Sequence, residues 1–463
     1  MKYRIISKLR RQFVLPVFIL LLLTSFLPFS VVQGNGLLQA SQTSSFIQQK
    51  SRAFHLLSRS MAPPTDAICR QRNKVPCYSP QEMRTVYGLN PLLDAGYTGA
   101  GQTITIIDSF GSPTLANDLH VFDQGYGLPD PPSLKIYAPL GTVPFNPTNS
   151  DQSGWAYETT LDVEWAHAIA PHANIVLLTS PVSETEGVQG MPEFLQLEKY
   201  ALNHHFGSII YQSWGATENT LFTPAGKEIL NSYTSFYKEA SRQHVTLLAS
   251  SGDAGVLNPD VQQKVYPFPT VIFPASSPWV TSVGGTSLYM DTNGHYISEA
   301  VWNDGHSEAT GGGISQHFAE PNHQKNSLTI PALSGLLKGY RGIPDVAYNA
   351  DTTTSILVYL SFFGQKQAGY YAIGGTSEGA PQWAGIVAIA NQKAGHPLGF
   401  LNDALYRLGR CTCTRNVYHD ITHGSNGFSN QPGYPARSGW DAVTGWGTPN
   451  AARLIPALIR LLP

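Results

Sequence analysis

The chain has 463 residues, room for one large domain or two ordinary ones, and a formal net charge of −2 that leaves no basic footprint for nucleic acid. Charged residues are only 13% of it, about half the usual ~25%. A surface so poor in ionisable groups loses little when carboxylates are protonated, which fits an acidic milieu, although neutral-pH secreted proteins share the trait.

Lys2, Arg4, Lys8, Arg10 and Arg11 precede an apolar run at 13–27, and Val32-Gln33-Gly34 follows where small residues suit cleavage. This is the pattern of a secretory signal peptide, residues 1–34. An uncleaved anchor is the alternative, since 13–32 nearly spans a bilayer, but Pro16, Pro28 and the polar Thr24-Ser25 pair argue against it. The expectation is a secreted protein, with no membrane association after cleavage. Residues 35–78, rich in Ser, Gln and Arg, read as a leader or linker. Four cysteines fit an oxidising compartment. Cys69 and Cys77 can close a small loop, whereas Cys411 and Cys413 lie so close together that cross-pairing or free thiols stay open. The lack of a C-x-x-C pair speaks against metal binding by thiolates.

From Ser79, which with Glu82 has the spacing of a capping box, apolar strands alternate with helical patterns, the signature of an α/β fold with a mainly parallel sheet. Strands are expected at 103–107, 175–179, 208–212, 246–249, 279–283 and 370–373. Helices are expected at 157–170, 191–205, 224–243 and 381–393. Asp108 follows the first strand. On the first helix, Glu158 and Asp162 share a face, where like charges repel; a pair held together raises one pKa so that one member takes up a proton. Such a pair is ordinarily a solvated face, but Trp155, Leu161, Val163, Trp165 and Ile169 cover most of the circumference and point to burial. The strand at 246–249 runs into Ser250-Ser251-Gly252-Asp253, beyond a carboxyl end where α/β sheets form sites; Asp253 also suits a simple turn. The tetrapeptide GGTS occurs at 284–287, where a strand-like continuation makes Ser287 structural, and again at 374–377. There Ser377 stands at a strand-to-helix junction, as a nucleophile near a positive helix end or as an N-cap, and Pro381 is expected in the first turn. Near the end, Asp420 and Asp441 sit in turn-rich stretches that suit either Asx turns or Ca²⁺, which takes oxygen ligands in an adaptable cage.

In that order, E-x-x-x-D (158–162), SSGD-x-G (250–255) and GGTS-x-x-x-P (374–381) resemble the sedolisin family of serine-carboxyl peptidases. QSWG (212–215), FPASSPWVTSVGGT (273–286), ATGGGIS (309–315), RGIPDVA (341–347) and LGFLNDALY (398–406) are similar too, so the resemblance covers 79–463. It implies an α/β, subtilisin-like fold, a mainly parallel central sheet flanked by helices, and a monomeric endopeptidase acting on proteins or peptides at acidic pH. Ser377 would be the nucleophile, Glu158 its general base, Asp162 the partner of Glu158, and Asp253 the oxyanion donor; Asp108 would extend the network. Ser213, Trp214 and Gly215 would bind extended substrate on an edge strand. One structural Ca²⁺ would be held by Asp420 and Asp441 and the carbonyls of Ile421, Arg437 and Gly439, with Arg437 where glycine is more usual. Family members are usually made with a long folded prosegment; here only 35–78 separates signal from domain, so an inactive, calcium-stabilised peptide-binding protein is the alternative from another class. A subtilisin-type site at Asp108 and Ser377 lacks its H-G-T histidine, leaving His120. An esterase reading of G-T-S-E-G with Asp403 and His419 leaves Glu158 and Asp253 unexplained.

Overall fold

The computed structural model describes residues 55–328, 331–411, 416–428 and 431–462, all within one unit, Thr43–Pro463. The expected signal segment lies outside the described residues, as does Cys413. The stretch 55–78, leader-like in composition, carries β1 (His55–Ser58), α1 (Asp66–Asn73) and β2 (Cys77–Tyr78). A buried Cys69–Cys77 disulfide ties α1 to β2. This removes the option of cross-pairing with the later cysteines, and no described cysteine is a free thiol. Helix α2 (Pro80–Val86) begins with the reciprocal capping box that the S-x-x-E spacing predicts.

The central sheet grows outward from β3 (Thr103–Ser109), whose sequence TITIIDS is buried along almost its whole length, as a strand covered on both faces must be. Helix α3 (Leu115–Tyr126) leads to β4 (Leu134–Tyr137), α4 (Ser150–Ile169) to β5 (Asn174–Ser180), and α5 (Met191–Asn203) to β6 (Ile209–Gln212). After β7 (Ala216–Thr217), α6 (Pro224–Arg242) leads to β8 (Thr246–Ser250), and β9 (Ile272–Phe273) pairs back onto β7. The sheet is completed by β10 (Thr281–Met290) and β11 (Tyr296–Val301) and, after the β12 (Gly313–Ala319) and β13 (Tyr340–Ile343) hairpin, by β14 (Val346–Asn349). Its order is β11-β10-β8-β6-β3-β5-β4 with β14 on β10, and only the β10–β11 pair is antiparallel. This is the α/β, mainly parallel architecture expected from the alternation. Because β3, β6 and β8 are parallel, their carboxyl ends share one edge, which gathers Asp108, Ser213 and Asp253.

Two expectations need correcting. The apolar run at 370–373 is β16 (Gly369–Ile373), but it lies outside the central sheet: it pairs antiparallel with β15 (Ser355–Leu360) and with β1, in a sheet ordered β1-β16-β15-β2. Parallel and antiparallel buried strands look alike in sequence, so composition does not separate them. The helix after it, α7 (Thr376–Ala394), starts five residues before Pro381, which therefore sits past the first turn. Proline there has no N–H for the carbonyl four residues back, so the Ser377 carbonyl is released from the helix ladder.

Helices α4 and α7 pack on each other and on β3. At the crossing, a Cβ on Gly385 would lie 2.7 Å from Ile169 Cβ, so only glycine permits this approach. The α4 side chains from Trp155 to Ile169 are all buried.

Burial extends to many carboxyl groups. Desolvation is the leading cause that raises Asp118, Asp123, Glu164, Glu198, Glu218 and Glu378 above the usual carboxyl range, and lifts Glu186 to about 8 and Glu299 to about 7. A carboxyl whose folded pKa exceeds its unfolded value binds protons more tightly when folded. Its contribution to stability is therefore fully present below about pH 4, the unfolded value, and is lost as pH rises through the folded one. Melting temperature should accordingly fall between about pH 4 and pH 8 in thermal scans; a rise across that window would contradict the assignment.

Candidate active site

The site begins at the Gly374-Gly375 break between β16 and α7. A Cβ on Gly374 would come within 2.6 Å of Ala350 O, and one on Gly375 within 2.9 Å of Asp253 Oδ2. Gly375 has φ +109°, a region that favours glycine. That close approach lets Asp253, just beyond β8, cap the helix from outside: its Oδ1 accepts from both the Thr376 amide and Thr376 Oγ1 at 2.7 Å. The Gly252 amide donates back to Thr376 Oγ1 at 3.1 Å. A carboxylate at a helix N-terminus is favoured by the axial dipole. Gly375 is the cap residue, so Ser377 is the second residue of α7 and not its N-cap. Its side chain is buried to 8% exposure.

The acidic pair lies on the helix packed against α7. Glu158 and Asp162 are 4% and 0% exposed, so the solvated-face alternative is gone. A close contact and an electrostatic neighbour set the direction of packing. Gly385 meets Ile169 and Ala166, and Glu378 acts electrostatically on Tyr157 together with Glu158. Moving from Gly385 to Glu378 along α7 thus means moving from Ile169 to Tyr157 along α4, so the helices run in the same sense. Ser377 and Glu158 each lie eight residues before the Gly385–Ala166 contact, about 12 Å back along either axis. Both residues consequently sit at the same end of the helix pair.

Tyr211 on β6 joins this group. Its hydroxyl donates to Asp162 Oδ1 at 2.6 Å and also bonds Ser213 Oγ. Burial first, then the negative fields of Asp162, Glu158 and Asp108, hold its pKa well above 10, so it stays a donor. Asp108, fully buried at the end of β3, belongs to the same cluster. The motifs do not include Tyr211; its signal is a tyrosine inside an apolar strand, whose hydroxyl requires a partner.

Ser213, Trp214 and Gly215 lie between β6 and β7 in no strand of their own. The Trp214 indole is buried edge-on to Phe194 and near Tyr233, so it packs into the core. Asp420 Oδ2 accepts from the Gly439 amide and Ser438 Oγ, and Asp441 Oδ2 from the Arg437 amide, which brings the predicted calcium residues into one loop cluster. Arg437 is not among the positive-φ residues, so arginine fits the turn without strain. The rival histidines lie elsewhere. His120 bonds Asp130 at the surface, His419 neighbours Glu299 and Tyr296, and Asp403 faces His323.

No family model matches the chain. It is 35% identical to kumamolisin of Bacillus sp. (strain MN-32) over 386 residues, 82% of this chain and 64% of that protein. It is 29% identical to sedolisin of Pseudomonas sp. (strain 101) over 385 residues, 81% of this chain and 60% of that one, and 31% identical to human tripeptidyl-peptidase 1 over 66% and 51%. The chain thus spans less than two thirds of the curated relatives it matches. A solved structure of Pseudomonas sedolisin, a serine-carboxyl proteinase complexed with two molecules of pseudo-iodotyrostatin, superposes with a TM-score of 0.69 at 30% identity, over 84% of this chain and 99% of that one. With a cap carboxylate, a serine one residue inside the helix and a buried acidic pair on the neighbouring helix lying within that matched span, the chain belongs to the sedolisin family.

Proposed function

We propose that the chain is a secreted, monomeric serine-carboxyl endopeptidase that hydrolyses proteins or peptides at acidic pH. The observation that carries this reading is the capping of the Ser377 helix by Asp253, at the same end of the helix pair as Glu158 and Asp162. Ser377 Oγ attacks the scissile carbonyl while Glu158 takes its proton, and Asp162, held by Tyr211, orients Glu158 and shares that proton. The oxyanion lies between the Ser377 amide and the Asp253 carboxyl, which donates only when protonated. The leaving amine takes the proton back from Glu158, and water, activated in the same way, releases the acyl group from Ser377. The backbone at 213–215, which belongs to no strand, would pair with extended substrate. A carboxylate is a weaker base than imidazole, so both the base and the oxyanion donor call for low pH.

Asp420, Asp441 and the carbonyls of Ile421, Arg437 and Gly439 are an all-oxygen donor set of the kind Ca²⁺ takes. Burial raises the Asp441 carboxyl to about 6; a cation beside it would favour the ionised form. A cavity of about 210 Å³ adjoins Asp420 and Gly439. The ion's part is structural: it would tie the 437–441 loop to Asp420.

Hydrolysis of a denatured protein, assayed from about pH 2 to 9, should peak below about pH 5. Ser377→Ala and Glu158→Gln should lose at least ~10²-fold in kcat, and Asp253→Ala about 10²–10³-fold. A peak above about pH 7, or an undiminished Glu158→Gln, overturns the carboxylate-base mechanism. For the ion, a chelator should lower the melting temperature of the unaltered protein and leave that of Asp441→Asn unchanged. An unaltered protein that carries no metal and melts alike with and without chelator rejects the calcium site.

A further inference from the structure

Glu378, next after Ser377, is a buried acid that the mechanism does not use. It is 0% exposed, and Asn349 Nδ2 donates to its Oε1 at 2.8 Å. Its Oε2 has no hydrogen-bond partner among the described residues. Asn349, at the end of β14, is itself immobilised. Its Nδ2 also donates to Thr354 O, its Oδ1 accepts from the Leu288 amide and Thr354 Oγ1, and its own amide donates to Tyr87 Oη. A Cβ on Gly379 would lie 2.7 Å from Tyr348 Cβ, so α7 presses directly on β14 here.

Ser377 is therefore flanked in sequence by two anchors that reach different parts of the sheet. Thr376 is held by Asp253 beyond β8, and Glu378 by Asn349 on β14. One anchor leaves a helical turn free to rotate about it. Two anchors on opposite sides fix the direction of the residue between them, and a misplacement near 1 Å can cost about 10²-fold in rate. The groups that face Glu378 are Tyr157 from α4, Tyr348 and Asn349 from β14, Asp351 after it and Tyr87 after α2. None of these is cationic. An ionised Glu378 would be a buried charge with one hydrogen bond and a like-charged neighbour, whereas the neutral acid keeps the acceptor on Oε1 and carries no charge to desolvate. Desolvation accordingly outweighs the Asn349 hydrogen bond and raises this carboxyl well above its usual range.

We propose that Glu378 is a positioning residue for Ser377, which in its uncharged form anchors the first turn of α7 to β14 through Asn349. This rests on the peptidase reading above. Its test compares Glu378→Gln, which keeps the acceptor, the size and the neutrality, with Glu378→Met, which keeps only the length, and with Asn349→Ala, which removes the donor from an intact Glu378. The glutamine variant should retain kcat within about threefold at the acid optimum, while the methionine and alanine variants should lose about 10²-fold in kcat with KM within about threefold. In the Ser377→Ala background at neutral pH, the infrared difference spectrum with and without the added Glu378→Gln change should contain a neutral carboxylic acid band. A glutamine variant as impaired as the methionine one, a methionine variant with full kcat, or a difference spectrum with only carboxylate bands overturns the proposal. Amide hydrogen exchange over residues 376–381 reads the anchoring without turnover: protection kept in Glu378→Gln and lost in Glu378→Met supports it, and equal protection in both refutes it. An unaltered protein that hydrolyses nothing sinks the peptidase reading alone, because the exchange and infrared arms still decide the anchoring.

Discussion

The hydrogen bonds from Thr376 to Asp253 are the constraint on which the site depends. They join the carboxyl end of β8 to the first turn of α7, two segments more than a hundred residues apart. The Gly374-Gly375 pair exists for this contact, since a side chain at either position would collide with Ala350 or with Asp253 itself. The same carboxyl satisfies an orphan amide at a helix end and stands beside the serine. The structural demand and the proposed chemical one thus fall on one residue, and the buried neighbours of Ser377 cannot be rearranged independently of it.

At many of the buried acids, among them Glu164, Glu198, Glu218 and Glu378, desolvation outweighs charge pairing. With few ionisable side chains in total, the protein still buries a large share of its carboxyl groups. Their partners are mainly hydroxyls and amides: Thr217 for Glu186, Ser315 for Glu218, and Tyr87, Thr286 and Thr448 for Glu299. Such partners reduce the cost of burying a carboxyl without supplying a positive charge, so protonation is the lower-energy state. At high pH each of these groups would be a buried anion without a cation. The paired Arg341–Asp345, fully buried and bidentate, is the contrasting solution, and there arginine stays charged.

Much of this is readable in the sequence. The order of the three motifs locates Ser377, the Glu158–Asp162 pair and Asp253, and alternating apolar runs locate most strands of the central sheet. What escapes has physical causes. Strand β16 looks like another parallel strand because burial on both faces erases the alternation that distinguishes sheet types. Helix α7 starts before its expected place because Pro381 reads as a first-turn residue, whereas the outside cap from Asp253 begins the helix early. Tyr211 and Asn349 are invisible because each acts through hydrogen bonds to residues distant in the chain, and no local spacing encodes that. The part of 55–78 that forms β1 and β2 escapes for a similar reason: its order comes from pairing with strands about three hundred residues later, not from its own composition.

The two anchors beside Ser377 also explain why a proline is tolerated within α7. Pro381 removes the helix bond that would have restrained the Ser377 carbonyl, which weakens the turn from within. A turn so weakened needs restraint from outside, and Asp253 on one side and Asn349 through Glu378 on the other provide it. Serine, proline and the two flanking contacts therefore form one unit. Its geometry is set by the sheet and not by the helix, which is the arrangement the proposed mechanism requires, because a weak carboxylate base cannot compensate for loose alignment.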